Sequence, residues 1–93
     1  MERVRWLELY RLATELGKTF PGGVLYSNAV VVGVWLWAAI HDRPISWACK
    51  REHWPARSEI RFLPSQSVMS RRLRSKPVKG LLEAMEKTLR ERG

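Results

Sequence analysis

The chain has 93 residues, 45% of them hydrophobic and 28% charged, which suits one compact domain and argues against global disorder. Its 17 Lys and Arg against 9 Asp and Glu give a net charge of +8, and residues 41–80 alone carry +7, from ten cations and three acids. A basic segment between nearly neutral flanks is typical of a domain that binds a polyanion. An excess of basic residues can also serve only to keep a protein soluble.

Two helices are predicted in the first half of the chain. Apolar residues recur at helical spacing over residues 4–16, with charged residues on the other side. A turn or loop rich in Pro and Gly is predicted at residues 20–23. After it, Ser27 or Asn28 can cap a second helix that runs to about Ile40.

The second predicted helix is apolar on almost every side, which is typical of a helix in the middle of a bundle. Its valines are also compatible with a strand, but its length and the Trp-Ala-Ala-Ile end favour a helix.

The apolar run of this segment, from Ala29 to Ile40, is interrupted by Gly33 and is too short to span a bilayer. No signal peptide is visible, because charges are mixed with apolar residues over residues 1–16. We therefore expect a cytoplasmic protein with no membrane partner.

Three further helices are predicted in the second half. Pro44 fits the first turn of a short third helix, and residues 56–62 form a polar, basic connection with no predicted element. Ser65 is the expected cap of a fourth helix over residues 66–74. Pro77 suits the first turn of a fifth helix, which is amphipathic.

These elements predict an all-α fold, a bundle of four or five helices in a single domain over residues 1–93. Residues 1–43 are expected to form a helical scaffold, residues 44–75 a helix-turn-helix-like unit, and residues 76–93 a C-terminal amphipathic helix. The connection inside the middle unit is longer than the tight turn of the simplest helix-turn-helix.

The fourth predicted helix carries side chains that are typical of DNA recognition. Its polar residues fall within an arc of roughly 140° on a helical wheel, with Val68, Met69 and Leu73 opposite. Arginine can bond guanine at two atoms, glutamine can do so with adenine, and serine can bond donors or acceptors on a base edge. The alternative is an amphipathic helix whose polar side only faces water. The predicted base contacts are Gln66, Ser67, Ser70, Arg71 and Arg74.

Phosphate contacts are predicted from the basic residues of the same region and from the cap of the fourth helix, where backbone N–H groups favour anions. Arg72 is the exception on the wheel. It falls in the apolar arc and can either extend to a phosphate or pair with Glu59. The predicted set is Lys50, Arg51, Arg57, Arg61, Ser65, Arg72, Lys76 and Lys79.

Five short strings within residues 25–90 carry a resemblance to a known family. They are WLWA at 35–38, HDRPISWAC at 41–49, WP at 54–55, LPSQS at 63–67 and SRRL at 70–73. Together they resemble the N-terminal region of bacterial insertion-sequence transposases of the RNase H-like, three-carboxylate type, and residues 63–73 are the most specific part. The resemblance implies sequence-specific binding of double-stranded DNA at transposon terminal inverted repeats.

Catalysis in that family needs two Asp and one Glu from a following RNase H-like domain, which hold two Mg²⁺ ions. This sequence has a single Asp, Asp42, and ends at Gly93. We therefore expect a truncated or stand-alone N-terminal domain that is not an enzyme and has no cofactor. Its expected partners are double-stranded DNA and, further, a transposase catalytic domain or a second copy of itself.

Other kinds of site have weaker support. His41, Cys49 and His53 are one ligand short of a structural zinc site, so no metal is predicted. Cys49, the only cysteine, excludes an internal disulfide and is expected to be a small buried residue rather than a nucleophile. The tryptophans are expected in the core, with a base-stacking role left open for Trp54.

Two other functions stay open from sequence alone. One is a helical protein-interaction or regulatory module that dimerises through its fifth helix. Such a module would not bind duplex DNA with a steep salt dependence. The other is RNA binding, which needs exposed aromatic side chains or recognition of helix shape.

Overall fold

The structure, a computed structural model, describes residues 2–18, 26–56 and 58–92, with side chains from residue 5 onward. None of these residues lies in a strand, so the predicted all-α bundle is confirmed and the valine-rich segment is a helix. The turn predicted at residues 20–23 lies outside the described residues. The elements are α1 (Glu2–Gly17), α2 (Asn28–Ile40), α3 (Ile45–Ala48), a 3₁₀ turn (Arg51–His53), α4 (Gln66–Leu73) and α5 (Lys76–Arg92).

The central helix is α2, as its apolar surface predicts. It contacts α1, α3, α4 and α5, and Val31, Val32 and Val34 are fully buried. Of its two predicted caps, Ser27 is the one used. The Ser27 hydroxyl accepts a hydrogen bond of 3.2 Å from the backbone N–H of Val30, which satisfies a donor that a helix start leaves unpaired. No helix in the described ranges is long and apolar enough to cross a membrane.

Helix α1 contacts α2 closely at Gly33. The indole N–H of Trp6 donates to the carbonyl of Gly33 at 2.7 Å, and the Trp6 ring stacks on Tyr10 with centroids 5.0 Å apart. A Cβ at Gly33 would lie 2.7 Å from Cδ1 of Tyr10 and 3.0 Å from Cδ1 of Ile60. Glycine is therefore required here for close packing.

Three tryptophans form the aromatic part of the core. The rings of Trp37 and Trp54 stack 4.8 Å apart, and Trp6 meets both edge-on. A buried indole N–H needs an acceptor: that of Trp37 donates to the carbonyl of His53 at 3.0 Å, and that of Trp54 to the carbonyl of Ala48 at 2.7 Å. Because Trp54 is only 7% exposed, the structure excludes the base-stacking role left open for it.

Residues 44–75, predicted as a helix-turn-helix-like unit, are less regular than that prediction. Helix α3 is a single turn, and Pro44 is its N-cap rather than a residue of its first turn. A 3₁₀ turn that no sequence pattern indicated follows it. Helix α4 packs against α2, α3 and α5, so it is supported chiefly by the bundle and not by a long partner helix within the unit.

Candidate nucleic-acid interface

The apolar side of α4 is fixed to the bundle. Ser65 caps the helix, since its hydroxyl accepts a hydrogen bond of 3.3 Å from the backbone N–H of Val68. Met69 has no solvent exposure, and Pro64, just before the cap, is also fully buried. Val68 and Leu73 are half-buried. These anchors determine which side of α4 faces solvent.

The five predicted base contacts lie on the opposite side of α4, and all are exposed. They follow one another at intervals of one, three, one and three residues, which is the spacing of one helix face. At 1.5 Å of rise per residue they extend over about 12 Å. The last of them is the C-cap of α4 and keeps a helical backbone conformation. We call this set the α4 face: Gln66, Ser67, Ser70, Arg71 and Arg74.

The α4 face presents one amide, two hydroxyls and two guanidinium groups, and α4 contains no acidic residue. The major groove of B-DNA is about 12 Å wide and admits one α-helix. The α4 face therefore presents groups that can bond base edges on a single α-helix, the element that the groove admits.

Arg72 is directed away from the α4 face and toward α2. Its guanidinium donates to the carbonyl of Tyr26 at 2.7 Å and to Oδ1 of Asn28 at 2.8 Å. Asn28 is only 3% exposed. Arg72 thus joins α4 to the start of α2 instead of pairing with Glu59. A half-buried guanidinium held by two intramolecular hydrogen bonds is not directed at a phosphate.

Two other predicted phosphate contacts, Arg51 and Ser65, also form hydrogen bonds within the protein. The guanidinium of Arg51 donates to the carbonyl of Ile60, which ties the 3₁₀ turn to the loop before α4. The hydroxyl of Ser65 is used as the cap of α4. Arg57 lies outside the described residues. The remaining candidates are exposed: Lys50, Arg61, Lys76 and Lys79.

Phe62 is a residue of this region that the sequence reasoning missed. It is 78% exposed, whereas Ile60 and Pro64 on either side of it are buried. The sequence places it at the end of a polar, basic connection, next to Arg61. An aromatic residue in such a connection was the available signal, but the pattern alone does not tell which residues of a loop are buried.

The two histidines contact other residues of the fold, and Cys49 is partly buried. Both histidine rings pack against Trp47, with centroid distances of 5.1 Å for His41 and 4.5 Å for His53. Nδ1 of His41 is 2.9 Å from the carbonyl of Trp37, and Nδ1 of His53 is 2.7 Å from that of Trp47. Burial raises the pKa of the Cys49 thiol, which disfavours the reactive thiolate. Within the described ranges, no three His, Cys, Asp or Glu side chains are grouped so as to hold a metal ion.

Comparison of the chain with models of protein families, with curated proteins and with solved structures found no match. Its function is therefore inferred from its own geometry, its charge and the resemblance of its short strings.

Proposed function

We propose that this chain binds double-stranded DNA, with the α4 face in the major groove and its side chains bonded to base edges. One observation carries the proposal. The apolar side of α4 is buried around Met69, while the amide, hydroxyl and guanidinium groups that suit base edges all lie exposed on the other side.

The charged residues of α5 are distributed differently from those of α4. Helix α5 mixes acids and bases, and Arg90 lies 3.8 Å from Glu86 one turn away. Such pairs are typical of helix surfaces that face water. Helix α4 has cations and no acid, so its exposed side lacks intrahelical charge partners and suits a polyanionic partner.

The positions of the exposed cations fit a helix lying in a groove. Arg61 precedes the N-terminus of α4, and Lys76 and Lys79 follow its C-terminus. Because the two phosphate backbones border the major groove, cations near the ends of an inserted helix are suited to contact phosphates. The proposal therefore assigns sequence recognition to the α4 face and sequence-independent affinity to these flanking residues.

The DNA that we propose is the terminal inverted repeat of a bacterial insertion sequence, which the chain binds as a transposase recognition domain without catalysis of its own. The support is the transposase resemblance. Its most specific string, residues 63–73, coincides with α4 and the cap that precedes it. The segment that carries the resemblance is thus the same segment that we propose to contact base edges.

The direct experiment selects duplexes that bind the chain from a randomised pool and then titrates salt. We expect an enriched motif that recurs as inverted copies flanking the gene, and an affinity that falls linearly with salt concentration on logarithmic axes. Absence of enrichment together with a shallow slope would favour the protein-interaction module. Preference for duplex RNA in competition with DNA would favour RNA binding.

A further inference from the structure

Phe62 is an aromatic side chain held in solvent beside the proposed DNA-binding surface. It is 78% exposed, and the other exposed large hydrophobic side chain in the described part of the chain, Leu89 on α5, is 43% exposed. Apolar side chains that are exposed singly are common. The case for a function therefore depends on how Phe62 is held and on what surrounds it.

The backbone on both sides of Phe62 is anchored. Ile60 is 2% exposed, and its carbonyl accepts a hydrogen bond from the Arg51 guanidinium. Leu63 is half-buried and packs against the core, and Pro64 is fully buried. The path of the chain between these anchors directs the ring outward, so its exposure does not come from a loose loop.

The surroundings of Phe62 favour DNA as its partner. Glu59 is the only acid in residues 58–79, against six cations. The nearest exposed residues along the chain are the cation Arg61 before it and the polar residues at the start of α4 after it. A protein interface of ordinary size needs about 1,000 Å² of buried surface with an apolar centre, and one ring among cations and hydroxyls does not provide that.

We infer that Phe62 inserts against a base of the bound duplex, at a step next to the one that the α4 face contacts. Phe62 is four residues before Gln66, so their Cα atoms are at most about 15 Å apart. An aromatic ring can stack on any base, and apolar side chains inserted between base steps, as minor-groove binders insert them, partly unstack the step and bend the duplex. The inference rests on the proposed function and adds a deformation of the DNA to it.

The test places 2-aminopurine, one position at a time, along the duplex enriched by selection, because this base brightens when its neighbours unstack. We expect the wild-type chain to raise fluorescence at a step beside the α4 footprint. Phe62→Ala should abolish that rise and weaken binding on the order of 10-fold. Phe62→Tyr, which keeps the ring, should retain both. Leu89→Ala, a matched exposed apolar change on α5, should behave as wild type.

The failure of this inference differs from the failure of the proposed function. The inference alone is overturned if wild type and Phe62→Ala give equal fluorescence and affinity while Arg71→Ala still loses more affinity for the enriched duplex than for shuffled DNA. A change confined to the oligomeric state of Phe62→Ala, measured by sedimentation, would also overturn it and assign the ring to a protein contact. If the wild-type chain prefers no duplex, both proposals are wrong.

Discussion

The guanidinium of Arg72 donates a hydrogen bond of 2.8 Å to Oδ1 of Asn28, and this bond joins the proposed recognition helix α4 to the first turn of the central helix α2. A second N–H group of the same guanidinium donates to the carbonyl of Tyr26 at 2.7 Å. The neighbouring Arg71 is exposed on the α4 face. Two consecutive arginines therefore have different surroundings, which predict different roles.

Arg72→Ala should destabilise the fold, because it removes two hydrogen bonds that hold α4 against α2. Loss of such charge-assisted bonds costs about 1–3 kcal/mol. Arg71→Ala should change the free energy of unfolding by no more than about 0.5 kcal/mol, as is usual for exposed positions. Urea unfolding of the two variants checks this. Equal destabilisation by both would mean that Arg72 does not anchor α4.

Trp37→Ala should be among the most damaging substitutions in the core. Trp37 is buried on α2, stacks on Trp54 and donates its indole N–H to the carbonyl of His53. Removing a buried aromatic ring costs about 3–5 kcal/mol, which is enough to unfold a marginally stable domain. Thermal unfolding is the measurement. A cooperative transition within a degree or two of the wild-type midpoint would contradict the central position of α2.

Gly33→Ala should destabilise the contact between α1 and α2, because the new Cβ would lie 2.7 Å from Cδ1 of Tyr10. Overpacking of this kind costs about 1–3 kcal/mol. Gly17→Ala is the matched control, since its Cβ would meet Cδ2 of Leu81 at 3.6 Å, an ordinary contact. We expect it to be neutral or slightly stabilising. If Gly33→Ala is as stable as Gly17→Ala in the same denaturation series, the contact between α1 and α2 at Gly33 is not tightly packed.

Alkylation of Cys49 should depend on pH differently in the folded and unfolded chain. Burial raises the pKa of this thiol, and only the thiolate reacts. The folded protein must therefore reach a higher pH than the urea-unfolded protein before its rate with iodoacetamide is half-maximal. The midpoint is compared rather than the rate, because burial also limits access. Identical midpoints in the two states would contradict the assigned environment of Cys49.

The helices could be predicted from local patterns. Ser27 and Ser65 precede apolar-periodic segments, and both hydroxyls cap the helices that follow. The exposed side of α4 was equally predictable, because Met69 and its apolar neighbours define the buried side. In these segments a residue's environment follows from helix periodicity, which a single sequence contains.

Interactions between distant parts of the chain could not be predicted. The partners of Arg72 lie 44 and 46 residues away in sequence, at Asn28 and Tyr26, and no local pattern indicates such a pairing. The loop before α4 is a second case. Its backbone carbonyl at Ile60 accepts a hydrogen bond from Arg51, and this tertiary anchor leaves Phe62 exposed. Irregular segments have no period from which burial could be inferred.

The central claim is that the α4 face recognises base sequence, and a salt titration of two variants on two DNAs tests it most directly. The DNAs are the duplex enriched by selection and a shuffled duplex of the same composition. The variants are Arg71→Ala, on the α4 face, and Lys79→Ala, an exposed cation on α5.

Arg71→Ala should cost about 1–3 kcal/mol of binding free energy on the enriched duplex and much less on the shuffled one, because only a base contact distinguishes the sequences. Lys79→Ala should weaken both complexes equally and lower the salt slope by about one unit, as loss of one phosphate contact does. Equal loss of affinity for both duplexes in Arg71→Ala would contradict the claim and reduce the α4 face to a basic surface.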